Sequence, residues 1–309
     1  MAKEGSIEET RVKPMASAAR QPIPSLAWYH IDDPASLALD ELGKRFGLHP
    51  LQIEDCRHRP QRAKTEDHDD YIFAVLKHLH DQKTVRFDDL DVFFGGHFLV
   101  TVSRGDRPFL EKVRLRAEQD HIQRLDRIFY SLTDEVVDEY LPLLDEIAEE
   151  TAELETDVLE KPTPPTLRRI FVLKRELIEF RRIASGMREV VNSFIRREGG
   201  LLGDDLDPYF RDIYDHIVRT VDLIETYRDL LSGSLDIYLS AVANRTNEVM
   251  KVLTIYGTIA LPLVIITGFF GMNLQLPWLG NSHGVLYAVG LMVLSTLIIL
   301  YYFRRKGWF

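Results

Sequence analysis

Two apolar stretches near the carboxyl end of the chain decide its architecture: VLTIYGTIALPLVIITGFF at residues 252–270 and GVLYAVGLMVLSTLIILYYF at residues 284–303. Neither contains a charged residue, and each approaches the ~20 residues that an α-helix needs to cross the hydrocarbon core of a bilayer. Residues 271–283 between them also lack Asp, Glu, Lys and Arg. A buried core helix can be equally apolar, but two adjacent helices of this kind favour a transmembrane hairpin. The sequence therefore predicts TM1 at 252–270, an outer loop at 271–283 and TM2 at 284–303.

Basic residues beside these spans predict their orientation. Arg-Arg-Lys opens a basic tail at residues 304–309, and Arg245 and Lys251 precede the first span. Because basic residues are retained on the cytoplasmic side of membranes, we expect both termini to lie in the cytoplasm. The expected location is the cell inner (plasma) membrane, with two passes through the bilayer. Two helices cannot enclose an aqueous path, so a transport function requires oligomerisation.

The composition narrows the classes of partner. The 309-residue chain has a formal net charge of -10. Phosphate backbones attract clustered basic surfaces, so we expect divalent cations and no nucleic acid as partners. Cys56 is the only cysteine, which excludes an intramolecular disulfide and fits a reducing compartment. Residues 1–20 contain no apolar signal region, and we expect them to form a flexible tail.

Residues 21–124 are expected to form a cytoplasmic α/β domain. Apolar and β-branched runs predict four strands, and a 3.6-residue pattern predicts one helix. The strands are predicted at residues 26–31, 71–79, 90–94 and 97–102, and the helix at residues 35–46. Gly95-Gly96 between the last two strands is typical of a hairpin turn.

Residues 125–203 are expected to form an antiparallel helical hairpin. Residues 134–160 are strongly acidic and lack Lys and Arg, whereas residues 166–197 are rich in both basic types. Prolines at 162, 164 and 165 separate the two segments. We interpret the charges as solvated faces that neutralise each other, in preference to a metal-attracting role for the acidic face.

A helix-start signal and a regular apolar spacing predict a long stalk helix at residues 204–251. Asp207-Pro208 is a typical helix start. Asp caps the first turn, and Pro is tolerated there because the N–H groups of the first turn make no hydrogen bond within the helix. Apolar side chains then recur at steps of three and four residues, and no proline follows until Pro262. At 1.5 Å per residue, a helix from residue 207 to Pro262 would be roughly 80 Å long.

Phe270-Gly271-Met272-Asn273 stands at the outer end of the first span. Gly followed by Asn also occurs where a helix simply ends, but this tripeptide lies on the uncharged loop between the only two spans. It resembles the hallmark Gly-Met-Asn of the CorA family of magnesium channels. Further segments are similar to landmarks of that family: Phe46-Gly47-Leu48-His49-Pro50 with Glu54-Asp55, the Pro60 segment, residues 209–212 with 214–216, and residues 244–253.

The resemblance implies an α+β cytoplasmic domain with a mixed sheet and flanking helices, then a long stalk helix and a two-helix transmembrane hairpin, in a funnel-shaped homopentamer. It implies influx of Mg²⁺, and also of Co²⁺ and Ni²⁺, through a pentameric pore gated by cytosolic Mg²⁺. The implied selectivity filter is Gly271, Met272 and Asn273, whose carbonyl and amide oxygens suit a hydrated ion. The implied pore-lining and gate residues are Asn247, Met250, Leu253, Leu261 and Asp236.

The resemblance also implies a regulatory Mg²⁺ site shared between neighbouring subunits. Asp212 matches one of its carboxylates, and Asp81 is the expected partner. A solvated or salt-bridged Asp is the alternative for each, and ordinary helix packing is the alternative for Met250 and Leu253. The sequence departs from the family pattern in two places, because Phe270 replaces a common Tyr and the outer loop carries no acidic residue.

Other functions fit parts of the sequence. The related zinc-transporting branch is disfavoured by Gly-Met-Asn, although the transported ion could be Mg²⁺, Co²⁺, Ni²⁺ or Zn²⁺. His78 and His80 could hold a softer metal, but no further ligand spacing supports a site, which favours ordinary strand histidines.

A membrane-anchored helical scaffold without transport would need none of the pore residues. An enzyme is not indicated, since Gly-x-Ser-x-Gly, His-Glu-x-x-His and P-loop motifs are absent. Without a P-loop, the ion gradient and the membrane potential remain as the driving force.

Overall fold

The computed structural model describes residues 7–11, 27–81, 84–105, 107–120, 122–197, 200–272 and 284–308. The chain divides into two compact units, Met1–Leu235 and Asp236–Phe309. The first unit contains a mixed sheet with flanking helices, and the second contains the end of a long helix and one further helix. This order confirms the predicted α+β domain followed by a long helix and two apolar helical segments.

Within the described ranges, six strands form one sheet. They are β1 (Ile7–Arg11), β2 (Ala27–Ile31), β3 (Lys64–Asp67), β4 (Tyr71–Asp81), β5 (Thr84–Gly95) and β6 (Phe98–Val102). Their order in the sheet is β1-β2-β6-β5-β4-β3. The pair β2 and β6 is parallel and the other pairs are antiparallel, so the sheet is mixed. All four predicted strands occur, and β4 and β5 extend beyond their apolar runs because they pair with each other.

The two edge strands were not predicted. Residues 7–11 were expected to belong to a flexible tail, but they form β1 and pair with β2 from Ile7↔Ile31 to Arg11↔Ala27. This pairing satisfies backbone groups of β2 that would otherwise form an open edge. At the other edge, β3 has the sequence Lys-Thr-Glu-Asp. This sequence has no alternation of apolar and polar residues. Only its backbone pairing with β4 defines it as a strand. The other residues of the expected tail lie outside the described ranges.

The connection between β5 and β6 confirms the hairpin that Gly95-Gly96 predicted. Phe94 pairs with Leu99 across this turn. A Cβ atom on Gly95 would overlap with the ring of Phe98. Position 95 therefore requires glycine, because any side chain would displace that buried ring.

Helices α1 (Leu37–Phe46) and α2 (Pro50–Arg57) pack on one face of the sheet. The motif at residues 46–50 forms the turn between them. Gly47 ends α1 with a φ of 67°, in the left-handed region that favours glycine. His49 caps α2, since its Nδ1 accepts a hydrogen bond from the Leu51 N–H at 3.3 Å. This part of the family resemblance therefore has a structural explanation in helix termination and capping.

The opposite face of the sheet contacts a second set of helices. These are α3 (Pro108–Gln119), α4 (Leu125–Asp138) and α6 (Pro164–Ile195), and α3 reaches the sheet through Phe109, whose ring lies 5.0 Å from that of His78. Phe129 of α4 stacks on Phe94 of β5, with ring centroids 5.0 Å apart. The same ring also meets Phe194 of α6 at 5.1 Å and Phe210 at 6.3 Å. Phe129 thus joins the sheet to three helices at one buried point.

The predicted acidic helix at residues 134–160 is divided into α4 and α5 (Tyr140–Glu160) at Glu139. Glu139 Oε2 accepts a hydrogen bond from the Leu79 N–H at 3.1 Å, and the Tyr140 hydroxyl donates to the Lys77 carbonyl. Both contacts bind the helix junction to β4. Pro142 lies in the first turn of α5, where a missing N–H costs no helical hydrogen bond.

The acidic and basic segments do face each other. Arg169 of α6 lies 3.5 Å from Glu150, 3.3 Å from Glu153 and 3.0 Å from Asp157 of α5. These groups are 40% or more exposed. The geometry supports the interpretation as solvated, mutually neutralising faces.

The last two helices contain both predicted spans. A 3₁₀ turn at Asp204–Leu206 precedes α7 (Asp207–Phe270), which is 64 residues long, and α8 is Gly284–Arg305. Helix α7 continues through Pro262, which deprives only the Thr258 carbonyl of its usual donor. Within the single chain, the apolar windows of the two helices are 0% and 11% buried. Core helices of a soluble domain would be mostly buried, so that alternative does not fit.

Candidate ion pathway and regulatory site

Five predicted pore residues share one face of α7. At 100° per residue they fall within an arc about 120° wide. They are Asp236, Asn247, Met250, Leu253 and Leu261. All five are exposed in the single chain, Leu253 by 65% and Met250 by 55%. A largely apolar helix face of this kind requires lipid or another copy of the chain against it.

Two threonine hydroxyl groups on this part of α7 are bonded to the backbone of the helix itself. Thr254 Oγ1 donates to the Met250 carbonyl at 2.7 Å, and Thr267 Oγ1 donates to the Leu263 carbonyl at 2.9 Å. These bonds return each hydroxyl to its own helix. The side chains of Met250 and Leu253 therefore determine the chemistry of the exposed face at their level.

The predicted filter begins where α7 ends. The Gly271 N–H donates to the Thr267 carbonyl at 2.9 Å, and the Met272 N–H donates to the Phe269 carbonyl at 3.3 Å. A Cβ atom on Gly271 would lie 3.0 Å from the Thr267 oxygen, so a larger residue would crowd this last turn. Asn273 lies outside the described residues, and its role in the filter stays a prediction.

Around Asp212, the structure brings together carboxylates of two helices. Tyr209 of α7 contacts Tyr130 of α4, with ring centroids 5.5 Å apart. His216 Nε2 lies 3.9 Å from Asp212 Oδ2, and its Nδ1 lies 3.8 Å from Asp138 Oδ1. The imidazole thus stands between one carboxylate of α7 and one of α4.

A third carboxylate adds to this site. Burial and the neighbouring charge of Asp138 raise the pKa of Asp134 to about 6. Burial and Asp134 also raise the pKa of the Tyr130 hydroxyl above its ordinary value. Both shifts therefore come first from burial and second from neighbouring carboxylates. Carboxylate oxygens are the ligands that Mg²⁺ prefers, but these carboxylates and His216 do not form a metal-binding group within one chain.

The spacing of these residues in the sequence already indicates that they share helix faces. Tyr130, Asp134 and Asp138 recur every four residues, as do Asp212 and His216, which places each set on one helix face. Periodicity could not show that the two faces meet. Asp81, the expected partner of Asp212, ends β4, and its side chain lies outside the described part of the chain. Among described residues, no group of three or more His, Cys, Asp or Glu could hold a metal within one chain.

An ion-pair cluster positions the start of α7. Arg124 Nη1 lies 2.9 Å from Asp205 Oδ2, and Arg124 Nε lies 3.0 Å from Asp126 Oδ1. Arg127 Nη2 approaches Asp205 at 3.2 Å. A Cβ atom on Gly203 would overlap with the Arg124 guanidinium, so a larger residue would displace this side chain from the cluster. The cluster thereby connects the segment before α7 to the first turn of α4.

His78 and His80 have separate partners. His78 is buried, and its Nδ1 lies 2.8 Å from the Leu79 carbonyl. Burial and the Arg107 charge lower the pKa of His78 to about 4. His80 is exposed, and its Nδ1 lies 2.8 Å from Asp88 Oδ2. These contacts agree with ordinary strand histidines.

Comparisons with known proteins place the chain among metal transporters. A family model described as CorA-like Mg²⁺ transporter protein matches residues 24–305. The cobalt/magnesium transport protein CorA of Thermotoga maritima is 38% identical over 281 residues, covering 87% of this chain and 79% of that relative.

Two solved structures resemble the fold. The CorA magnesium transporter of Methanocaldococcus jannaschii matches with a TM-score of 0.82 and 23% identity, over 99% of this chain and 97% of that one. The ZntB cytoplasmic domain of Vibrio parahaemolyticus matches with a TM-score of 0.64 and 15% identity, over 78% of this chain and 99% of that domain. The zinc alternative is therefore the weaker one. With a model match over residues 24–305 and a relative 38% identical, the chain belongs to the CorA family of ion transporters, which are not enzymes.

Proposed function

We propose that five copies of this chain form a pore that admits Mg²⁺ to the cell, and that Co²⁺ and Ni²⁺ also pass. The observation that carries this proposal is the shared exposed face of α7 that contains Asn247, Met250 and Leu253. Two apolar helices per chain cannot enclose water. Rotational symmetry would place this face of every copy around one axis and so form a continuous path.

The path would present different chemistry at successive levels. At the outer mouth, Gly271, Met272 and Asn273 would surround the ion with carbonyl and amide oxygens that hydrogen-bond its water shell. Asn247 would supply a polar ring deeper in the path. Rings of Met250, Leu253 and Leu261 would expel water when they are close together and so stop conduction. Asp236 would attract the cation on the cytoplasmic side.

Cytosolic Mg²⁺ would also regulate the pore. Asp212 would bind the ion together with Asp81 of a neighbouring copy, and the nearby Asp134 and Asp138 would strengthen the negative potential there. Bound Mg²⁺ offsets repulsion between carboxylates across the subunit boundary and thereby favours the closed ring. Loss of the ion would let the copies separate and the apolar rings admit water.

The proposed membrane location follows from the two spans and the flanking basic residues. The protein would lie in the cell inner membrane with both termini in the cytoplasm. Influx would then run down the membrane potential, which favours entry of a divalent cation.

Flux into liposomes tests the proposal. Purified protein is reconstituted with a Mg²⁺-sensitive dye inside, and Mg²⁺ is added outside with an inward-attracting potential. We expect Mg²⁺ entry that competing Co²⁺ and Ni²⁺ reduce. Empty liposomes and liposomes with Asn273→Ala protein are the controls. Absence of protein-dependent flux would support the scaffold alternative, and entry of Zn²⁺ but not Mg²⁺ would support the zinc alternative.

A further inference from the structure

The end of α8 is closed by a compact cap. The Trp308 N–H donates to the Phe303 carbonyl at 3.0 Å, and the Gly307 N–H donates to the Arg304 carbonyl at 3.1 Å. Gly307 has a φ of 70°, in the left-handed region. These two bonds and this conformation define a Schellman motif. The Trp308 indole stacks on the Phe303 ring, with centroids 5.1 Å apart and planes 9° apart.

This cap holds cationic side chains at a defined place. Phe303 is only 4% exposed under the indole, whereas Arg304, Arg305 and Lys306 are all exposed. At about 100° per residue the three residues span about 200° of the helix circumference, so their charges spread around the helix end. The fold therefore presents a cluster of positive charge next to a rigid, stacked indole.

The length of α8 places the cap at the bilayer surface. Residues 284–303 form about 30 Å of helix, which is the thickness of the hydrocarbon core. Residues 304–308 must then lie in the layer of lipid headgroups. Trp favours this layer because its ring is apolar and its N–H is polar. Arg and Lys there meet lipid phosphates directly.

We propose that the capped end of α8, residues 303–308, binds the headgroups of anionic phospholipids. The partner is identified by charge complementarity and by continuity with the spanning helix. Each Lys or Arg near an anionic membrane surface strengthens binding about fivefold. The phosphate accepts hydrogen bonds from the guanidinium and ammonium groups, and the stacked indole fills the adjoining interfacial layer.

Photo-crosslinking of the full chain tests this site. The protein is placed in phosphatidylcholine nanodiscs with increasing amounts of phosphatidylglycerol that carries a photoactivatable group near its headgroup. Mass spectrometry then gives the lipid fraction at which labelling of residues 301–308 is half-maximal. The combined variant Arg304→Gln, Arg305→Gln, Lys306→Gln should raise this fraction about fivefold for each charge that contacts lipid. Trp308→Ala should also raise it, whereas Trp308→Phe, which keeps a stacked ring, should not.

A matched variant controls for loss of charge alone. Lys161→Gln, Arg168→Gln, Arg175→Gln removes three exposed charges in and beside α6, and it should leave the half-maximal fraction unchanged. Equal labelling by photoactivatable phosphatidylcholine would overturn the proposal, as would a wild-type value in the Arg304 triple variant. Complete competition by inorganic phosphate would also overturn it, since the site would then recognise a free anion and not a lipid.

Discussion

Asn273 follows Met272 directly at the end of α7, on an outer loop without charged side chains. Its amide is the one strongly polar side chain in the proposed filter. Asn273→Ala removes a hydrogen bond to a charged, hydrated ion, and we expect Mg²⁺ flux to fall about ten- to a hundredfold. The flux assay in liposomes measures this loss. Asn281→Ala, in the same loop, is the matched control and should retain wild-type flux. Normal conduction by Asn273→Ala would exclude this residue from the filter.

Asp212 differs from most exposed carboxylates because His216, one turn further along α7, lies between it and Asp138 of a second helix, α4. Asp212→Ala should weaken inhibition by internal Mg²⁺, since the ion loses a ligand that favours the closed state. A coupling of 1 to 3 kcal/mol corresponds to a shift of about 5- to 150-fold in the inhibiting concentration. Patch recordings with varied internal Mg²⁺ measure this shift.

Asp222 provides the control for Asp212. It is an exposed carboxylate on the same helix, and Asp222→Ala should leave inhibition unchanged. If the Asp212 and Asp222 variants close at the wild-type concentration, Asp212 has a structural role and the sensor lies elsewhere.

Among the secondary-structure elements, α4 has the central position, because it contacts the sheet on one side and carries the carboxylates that face α7 on the other. Phe129 makes this connection through its contacts with Phe94, Phe194 and Phe210. Phe129→Ala should lower the free energy of unfolding by about 3 to 5 kcal/mol through loss of burial and creation of a cavity. Chemical denaturation of the full chain in detergent measures the change.

Phe171 is the matched residue for this comparison. It lies on α6 but is 52% exposed, so Phe171→Ala should change stability by no more than about 0.5 kcal/mol. Equal losses in the two variants would mean that the aromatic cluster is not a principal source of stability for these helices.

Element boundaries show where periodicity stops being informative. The acidic pattern of residues 134–160 continues across Glu139, yet the helix ends there because Glu139 and Tyr140 bind backbone groups of β4. Likewise, β1 and β3 are strands through pairing with a neighbour, not through an apolar pattern of their own. Hydrogen bonds between distant segments decided these points.

For the whole molecule, the proposed orientation in the membrane can be measured by cysteine labelling. Ser282→Cys should react with an impermeant maleimide added to intact cells, whereas Phe309→Cys should react only after permeabilisation. Cys56 gives little background, because it is fully buried and burial raises the pKa of its thiol. Labelling of Phe309→Cys from outside, with Ser282→Cys protected, would reverse the topology.

The sequence by itself determined the two apolar helices, the basic residues beside them, the long uninterrupted pattern of α7 and the Gly-Met-Asn motif, since each is a property of consecutive residues. Helical geometry alone then places Asn247, Met250 and Leu253 on one face. Helical spacing also places His216 next to Asp212, but only the tertiary structure decided that Asp134 and Asp138 lie near this pair, because that site forms where α4 meets α7. Such contacts join residues far apart in the chain, and they depend on how buried side chains such as Phe129 pack, which no local pattern specifies.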